Sequence, residues 1–311
     1  MDRIPKLARR AVDSHKGDYG RALLVGGSRG MAGAIALAGM STLRSGAGLV
    51  TVAVPDVCLE TVAACDPCYM TVPLPCDGQG RLVADAEQPL RALAGKATAC
   101  ACGPGLGRSD DLDRLVRQLY AELEGPLVVD ADALNALAHD DQGLHSPGGP
   151  RVLTPHPGEF DRLAGVPLSS AQERIDLAIE LAARYGVVIV LKGHGTLVTD
   201  GKRSQRNETG NPGMATGGAG DVLTGVITAL LCQGLDPWSA ARLGSTGKAL
   251  AARVRLGLAG RDLHCHGGHP GRIPGRNARG PDAFRRRSAG GVRGAECLVG
   301  PRRPLPCLLY T

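Results

Sequence analysis

The sequence predicts an α/β fold with a mostly parallel central sheet and helices on both of its faces. Two observations predict it. Over residues 1–254, short apolar segments typical of strands alternate with longer segments whose apolar residues have helical spacing. Glycine or polar residues directly follow five of the predicted strands. Such alternation is typical of parallel strands joined by helices, and these sheets bind their ligands beyond the carboxyl ends of the strands.

In the first half of the chain, short apolar runs predict the strands and apolar spacing predicts the helices. Residues 32–43 are rich in alanine, and residues 112–123 carry apolar side chains three or four positions apart, so both segments are predicted helices. The predicted strands of this half are residues 22–25, 49–54, 97–102 and 126–129.

The second half continues the alternation. Residues 187–191 are five consecutive apolar residues, which is typical of a strand covered on both faces. The other predicted elements are a strand at 152–153 and helices at 171–185, 222–231 and 240–252. No internal repeat and no linker interrupts these segments, so we expect one domain over residues 1–254 and a separate tail over residues 255–311.

The charge of the chain is concentrated in the tail. Residues 255–311 hold 11 arginines, no lysine and 3 acidic residues, whereas the rest holds 25 basic and 27 acidic residues. The predicted domain therefore lacks the basic surface that nucleic-acid binding requires. No apolar run approaches the ~20 residues that span a bilayer, and no apolar segment of a secretory signal follows the charged residues 1–10. We expect a cytoplasmic protein with no nucleic-acid or membrane partner.

The 10 cysteines are scattered along the chain, which is typical of reduced thiols in a reducing compartment. Cys65 and Cys68 have the spacing of a redox or zinc pair. No second pair follows at zinc-finger spacing, so ordinary thiols are the favoured interpretation of these two residues.

A glycine-rich segment at residues 210–225 is the most informative part of the sequence, because it runs directly into an apolar helix. Backbone N–H groups at a helix start are unpaired, and glycine lets the backbone approach a phosphate closely. The segment therefore predicts an anion site, and Asp221 beside it could accept a proton from a substrate hydroxyl. Asp221 could instead only cap the helix, but a cap alone does not require so many glycines.

Lys192 follows the strand predicted at 187–191 and opens the segment 192–196, in which two glycines leave room for a ligand. This segment could hold a nucleotide phosphate or form a simple hairpin turn. It is not a P-loop, because the P-loop pattern occurs nowhere in the chain. The spacing of Gly27, Gly30 and Gly33 also differs from the dinucleotide fingerprint of Rossmann dehydrogenases.

Over about residues 16–253 the chain resembles the ADP/ATP-dependent NAD(P)H-hydrate dehydratases, a family of the ribokinase-like superfamily. The resemblance rests on KGDYG at 16–20, VGGS at 25–28, MAGA at 31–34, GPGLG at 103–107, DADAL at 130–134, LTPHPGEF at 153–160, LKG at 191–193 and the segment 210–225. The segment 210–225 is typical of the whole superfamily. The motifs at 31–34 and 153–160 indicate the dehydratases more narrowly.

The resemblance implies a ribokinase-like fold and a repair reaction on nicotinamide cofactors. Water adds to the ring of NADH or NADPH and gives an inactive hydrate. The hydroxyl of the S-form is then phosphorylated by ADP or ATP, and phosphate leaves to restore the ring. Bacterial members are generally ADP-dependent, and the absence of an organellar targeting segment here is typical of them. The sequence does not choose between the NADH and the NADPH hydrate.

The resemblance also implies roles for individual residues. Asp221 would be the base on the hydrate hydroxyl. The residues implied to contact the hydrated dinucleotide are Ala34, Gly105, His156 and Asp221. The residues implied to hold the adenine nucleotide are Lys192, Gly193, His194, Gly195, Thr196 and Gly220. His156 could instead be a buried structural histidine, although the two flanking prolines favour its presentation to a cleft.

Mg²⁺ is expected because phosphoryl transfer requires charge neutralisation. Asp130, Asp132 and Glu159 are its candidate ligands, with surface or capping roles as the alternative. The family also suggests a homo-oligomer. Many members carry an epimerase domain that interconverts the hydrate epimers, and because only about fifteen residues precede Lys16, we expect that activity on a separate partner.

The tail departs from the family. His264, Cys265, His266 and His269 could form a metal site, or the arginine-rich residues could bind RNA. We favour a frameshift shortly before Leu263, because residues 264–269, back-translated and read one base later, give Ile-Ala-Thr-Glu-Val-Ile, which resembles the usual family ending. The tail is accordingly expected to lack a packed core and to contribute no catalytic residue.

Two other functions remain open from the sequence. A ribokinase-like kinase, such as one acting on a hydroxyethylthiazole, would share Asp221 and the anion site but release a stable phosphorylated product. A non-catalytic nucleotide sensor would keep the fold without turnover, and the presence of Asp221 argues against it.

Overall fold

A computed structural model of the chain describes residue 5 and residues 7–139, 144–210 and 212–246. Within this part, one sheet has the strand order β3-β2-β1-β4-β5-β6-β7-β8-β9. The strands are β1 Arg21–Val25, β2 Leu49–Pro55, β3 Met70–Leu74, β4 Ala99–Cys102, β5 Leu127–Val129, β6 Arg151–Leu153, β7 Val188–Leu191, β8 Leu197–Thr199 and β9 Ser204–Arg206. Neighbouring strands from β3 to β7 pair in parallel, and β8 and β9 add an antiparallel edge. The predicted mostly parallel sheet is confirmed.

Helices cover both faces of the sheet. They are α1 Ala32–Arg44, α2 Leu59–Ala63, α3 Glu87–Ala94, α4 Asp110–Glu122, α5 Asp132–Ala138, α6 Pro157–Ala164, α7 Ala171–Tyr185, α8 Ala219–Cys232 and α9 Pro237–Ser245. Successive strand residues point to opposite faces, so Leu23 belongs to a core with α4, α5 and α7, whereas Leu24 belongs to a core with α1, α8 and α9. The chain is therefore a three-layer α/β domain over the described residues.

The contact between α1 and α8 determines where the start of α8 lies. Gly225 has no side chain, and a Cβ there would come within 1.9 Å of Ser41 Oγ and 2.2 Å of the Ala38 carbonyl oxygen. The hydroxyl of Thr42 donates to the Gly225 carbonyl at 3.1 Å. The two helices can therefore approach closely enough for direct contact with the backbone, and this contact places the first turn of α8 beside the sheet edge.

Most predicted bounds agree with the structure to within three residues. Helix α7 has the predicted bounds, and α8 begins three residues before its predicted start, so Asp221 lies in its first turn. Helix α9 was predicted at 240–252 but begins at Pro237, because Asp236 caps it, and ends at Ser245, because Thr246 is extended. Residues 247–252 and the whole predicted tail lie outside the described residues.

No helix in the described ranges is long and apolar enough to cross a membrane. The cysteines in these ranges are all free thiols, and Cys65 and Cys68 are exposed. No group of three His, Cys, Asp or Glu residues that could hold a metal ion occurs there either, so the described structure gives the Cys65–Cys68 pair no metal site. The tail cluster from His264 to His269 lies outside the described residues.

Candidate active site

Three polar residues follow three adjacent parallel strands. Asp130 follows β5, Thr154 follows β6, and Lys192 follows β7. The strand pairing continues beyond the strands, because the Thr154 N–H donates to Val129 at 3.1 Å and the Lys192 N–H donates to Pro155 at 2.8 Å. These hydrogen bonds bring the three side chains together at the carboxyl edge of the sheet, where ligands of such folds bind.

An ion pair between Lys192 and Asp130 lies at the centre of this edge. Lys192 Nζ is 2.7 Å from Asp130 Oδ1 and 3.6 Å from Glu159 Oε2. The hydroxyl of Thr224 donates to Asp130 Oδ2 at 2.7 Å. The side chain of Asp130 is only 1% exposed, whereas that of Lys192 is 20% exposed. The ammonium group therefore still reaches solvent or a ligand while the carboxylate is buried beneath it.

Both members of this pair are ionised. Burial alone would raise the pKa of Asp130, but the charge of Lys192 and the hydrogen bonds outweigh burial and lower it. Burial alone would lower the pKa of Lys192, but the charges of Asp130 and Glu159 outweigh burial and raise it. The Lys192 ammonium therefore stays charged at neutral pH, with the carboxylate of Asp130 as its counter-ion.

Asp221 lies next to this pair, in the first turn of α8. Burial, followed by the charge of Asp130, raises its pKa to about 6, although the charge of Lys192 opposes both. Its carboxylate has no hydrogen-bond partner among the residues that the structure describes. The N-cap position belongs to Gly218, whose left-handed φ of 84° suits glycine. Asp221 therefore does not act as the helix cap.

The first turn of α8 has the features of an anion site. In the described ranges, the backbone N–H groups of Gly220 and Asp221 have no acceptor. A Cβ on Gly220 would lie 3.4 Å from Lys192 Nζ, so the helix start and the ammonium face the same small volume. Free N–H groups, a helix dipole and a lysine together favour a phosphate there.

Ala34 and Gly105 come together near the start of α1. Gly105 has a φ of 64°, and a Cβ there would lie 3.1 Å from the Cβ of Ala34 and 2.5 Å from the carbonyl oxygen of Met31. The hydroxyl of Ser28 donates to the Gly105 carbonyl at 2.8 Å. Glycine is required here, and the loop after β4 lies directly against the first turn of α1.

His156 caps α6 and still presents half of its ring to solvent. Its Nδ1 accepts from the N–H groups of Gly158 at 3.1 Å and Glu159 at 3.3 Å, which leaves Nε2 to carry the ring proton. The side chain is 51% exposed, so it is not the buried histidine of the alternative interpretation. It lies on the strand end next to Lys192.

The segment 192–196 is the turn between β7 and the antiparallel β8. The backbone of this segment therefore forms the hairpin turn that was the alternative interpretation of the sequence. Gly195 has a φ of 68°, the Thr196 hydroxyl donates to the Gly193 carbonyl at 3.0 Å, and His194 is exposed. Lys192 is nevertheless turned inward to Asp130, so the same turn supplies the positive charge of the site.

Comparison with known proteins identifies the family. The profile described as NAD(P)H-hydrate dehydratase matches residues 22–263 of the sequence, which is well over half of the chain. The chain belongs to the NAD(P)H-hydrate dehydratase family. The resemblance noted in the sequence motifs is thereby confirmed, and so is the assignment of the chain to a family of enzymes.

Relatives of the chain include two bifunctional NAD(P)H-hydrate repair enzymes named Nnr. The one from Moorella thermoacetica is 47% identical over 243 residues, which are 77% of this chain and 46% of the relative. The one from Escherichia coli is 39% identical over 250 residues, 80% of this chain and 45% of the relative. The chain therefore spans about half the length of the curated relatives that it matches.

Solved structures of the family share its fold. The ADP/ATP-dependent NAD(P)H-hydrate dehydratase from Bacillus subtilis, co-crystallized with ATP/Mg²⁺, has a TM-score of 0.67 and 32% identity, over 83% of this chain and 89% of that one. A ribokinase-like superfamily protein from Enterococcus faecalis has a TM-score of 0.67 and 30% identity, over 82% and 85%. The ribokinase-like fold that the sequence predicts for this chain is confirmed.

Membership of the dehydratase family implies that Mg²⁺ binds. The question is whether the candidate ligands are free to bind it. Asp130, Asp132 and Glu159 each already accept a hydrogen bond inside the protein. The described residues offer no group of three ligands. These side chains therefore do not fit a metal site made of protein ligands alone. Mg²⁺ commonly binds through substrate phosphates with few protein ligands, and we assign no step of the reaction to it.

Two features of the candidate site were not predicted from the sequence. Thr224, one turn after Asp221 on α8, holds Asp130 by a hydrogen bond. Ala131, directly between Asp130 and Asp132, has a φ of 51°. A positive φ is rare for a residue with a side chain. The three-residue spacing from Asp221 to Thr224 places both on one helix face, which is the only sequence signal for Thr224.

Proposed function

We propose that this chain dehydrates the S-form of NADH or NADPH hydrate back to NADH or NADPH, with ADP, or alternatively ATP, as the phosphoryl donor. The observation that carries the proposal is the position of Asp221. Its carboxylate, which has no hydrogen-bond partner among the described residues, lies beside the free N–H groups of α8 and the ammonium of Lys192. A base next to a phosphate site is what phosphorylation of a hydroxyl requires.

In the first step, Asp221 accepts the proton of the hydrate hydroxyl while the hydroxyl oxygen attacks the terminal phosphorus of the nucleotide. A new phosphorus–oxygen bond forms, and the bond to the remaining nucleotide breaks. In the second step, phosphate leaves with the electron pair of its carbon–oxygen bond, and the neighbouring carbon loses a proton, so that the ring double bond is restored. Phosphate is a far better leaving group than hydroxide, which is why nucleotide cleavage drives the dehydration.

Lys192 and the first turn of α8 stabilise the transferring phosphoryl group in this proposal. The ammonium lies beside Gly220, and the N–H groups of Gly220 and Asp221 have no acceptor among the described residues. Such preorganised donors stabilise charge that develops in the transition state. Bound Mg²⁺, carried by the nucleotide phosphates, would add charge neutralisation.

The remaining site residues keep their proposed roles. The turn formed by Gly193, His194, Gly195 and Thr196 would hold the adenine nucleotide together with Lys192 and Gly220. Ala34, Gly105 and His156 would contact the hydrated dinucleotide. The contact between Gly105 and Ala34 and the exposure of the His156 ring support this assignment.

We also propose the setting of the reaction. Residues 1–254 would form the catalytic domain, and the tail from 255 would contribute nothing to catalysis. The epimerase activity would come from a separate NAD(P)H-hydrate epimerase, and the chain would form a homo-oligomer. Free thiols throughout the described cysteines support a reducing, cytoplasmic location.

The direct test follows recovery of the reduced-nicotinamide absorbance from NADH hydrate and NADPH hydrate, with ADP and ATP added separately. Release of free phosphate is measured in the same samples. Phosphate release that depends on the hydrate, together with absorbance recovery, supports the dehydratase. A stable phosphorylated product without absorbance recovery supports the kinase alternative.

The variant Asp221→Asn separates catalysis from binding. We expect loss of turnover by at least about 100-fold, the lower range for removal of a general base, with nucleotide binding retained. Asp176→Asn is the matched control, because Asp176 is exposed on α7. Equal activity of the two variants would remove Asp221 from the mechanism, whereas nucleotide binding without any turnover by the wild type would favour the nucleotide sensor.

A further inference from the structure

Three arginines lie together at the carboxyl edge of the sheet, away from Lys192. Arg29 is in the loop after β1, Arg81 is in the loop between β3 and α3, and Arg108 is in the loop after β4. Nη1 of Arg81 donates to the Arg108 carbonyl at 3.1 Å, and a Cβ on Gly80 would lie 3.1 Å from the Cβ of Arg29. We call these three residues the arginine cluster.

The arginine cluster is continuous with the predicted dinucleotide contacts. A Cβ on Gly107 would lie 3.5 Å from Cγ of Arg81 and 3.6 Å from Oγ of Ser28. The same Ser28 hydroxyl donates to the Gly105 carbonyl at 2.8 Å. One short surface therefore connects Arg81, through Ser28, to Gly105 and the neighbouring Ala34.

Two of the three guanidinium groups have no ion-pair partner within the described ranges. Arg81 is held by Asp77, whose Oδ2 accepts from it at 2.6 and 2.8 Å. Arg29 and Arg108 are exposed, and neither forms a salt bridge there. The acidic residues that follow Arg108 start helix α4, and Asp111 pairs instead with Arg114 at 3.5 Å.

We propose that Arg29 and Arg108, held in place around Arg81, bind a phosphate of the hydrated dinucleotide. This inference rests on the proposed function and extends it to the end of the substrate remote from the reacting ring. Both hydrates carry a diphosphate, and NADPH hydrate also carries a 2′-phosphate. Guanidinium groups bind phosphate oxygens through paired, charge-assisted hydrogen bonds. Asp77 fixes Arg81, and Arg81 in turn holds the backbone that carries Arg108.

The test compares Arg29→Gln, Arg108→Gln and the double variant with the wild type. Binding of NADPH and of NADH is measured by calorimetry, and KM and kcat are measured with both hydrates. Arg21→Gln is the matched control, because Arg21 is also exposed but begins β1, at the opposite edge of the sheet. All three substituted arginines are at exposed positions, where effects on folding are usually small.

We expect each variant of Arg29 or Arg108 to weaken dinucleotide binding about tenfold or more, as for a lost hydrogen bond to a charged group. We expect kcat and the KM for ADP to stay unchanged. Equal weakening of NADPH binding and NADH binding assigns the arginine cluster to the diphosphate. Weakening of NADPH binding alone assigns the arginine cluster to the 2′-phosphate. Unchanged binding of both, or absence of dinucleotide binding by the wild type, overturns the inference. If dinucleotide binding depends on the arginines but the hydrates are not turned over, only the proposed reaction is overturned.

Discussion

The hydroxyl of Thr224 donates to Oδ2 of Asp130 at 2.7 Å, although 94 residues separate the two along the chain. Asp130 at the end of β5 also holds Lys192, and Thr224 lies one turn after Asp221 on α8. One buried carboxylate therefore fixes both the positive charge of the site and the helix that carries the proposed base. The relative position of base and phosphate site depends on this hydrogen bond.

Thr224→Val removes that hydrogen bond while keeping the shape of the side chain. We expect the free energy of unfolding to fall by about 1.5–3 kcal/mol, because the lost bond is to a buried charged acceptor. Thr228→Val is the control, since Thr228 is equally buried on the same helix but donates only to the carbonyl of Thr224. Urea unfolding measures the stability of both variants. Equal losses in the free energy of unfolding would show that the hydrogen bond to Asp130 contributes no more than the one to the Thr224 carbonyl.

The pKa of Asp221 predicts how activity depends on pH. Burial first, and then Asp130, raises this pKa to about 6, and the base accepts a proton only when it is ionised. We expect kcat/KM, followed by phosphate release, to rise between about pH 5 and pH 7 and then to level off. An aspartate of ordinary pKa would be ionised over this whole range, so a flat profile would contradict the assignment.

The same raised pKa predicts that Asp221→Asn stabilises the folded protein above neutral pH. The folded state keeps the Asp221 proton up to about pH 6, whereas the unfolded state loses it near the ordinary value of 3.8. The stabilisation by this proton is thus full below 3.8 and is lost as the pH rises through about 6. Ionised Asp221 then costs the fold about 3 kcal/mol, at roughly 1.36 kcal/mol per pH unit.

Urea unfolding at about pH 8 and pH 4 checks this sign. Asn cannot ionise, so we expect Asp221→Asn to be more stable than the wild type at the higher pH and to differ little at the lower one. Asp176→Asn, at an exposed position, should show no such gain. A gain of the same size at both pH values would attribute the effect to packing instead of charge.

The parts of the fold that the sequence predicts well have signals within the element itself. Helix α7 is an example, since Ser170 caps its start and Gly186 ends it in a left-handed conformation. Two of the strands that were not predicted, β3 and β9, have no such signal. Strand β3 contains Pro73, which is tolerated because β3 is at the sheet edge, and β9 is a three-residue polar strand held by its pairing with β8.

For the candidate site, the sequence predicts candidate residues but not their contacts. Asp221 and Lys192 stand out because of the glycines and strands beside them. The ion pair of Lys192 with Asp130 joins residues 62 positions apart, and nothing local to either residue specifies it. The arginine cluster was likewise not predicted, because its members come from three separate loops. Only the order of strands in the sheet brings such residues together.

Gly225→Ala tests whether the close contact of α1 and α8 positions Asp221. A Cβ at Gly225 would collide with Ser41 Oγ and the Ala38 carbonyl, so the helices must separate. We expect a loss of about 1–3 kcal/mol in the free energy of unfolding and a fall in kcat greater than any rise in the KM for ADP. Gly33→Ala on α1 meets no atom within 4 Å and should leave stability equal or slightly higher. A destabilised Gly225→Ala with unchanged kcat would show that the helix contact serves folding alone.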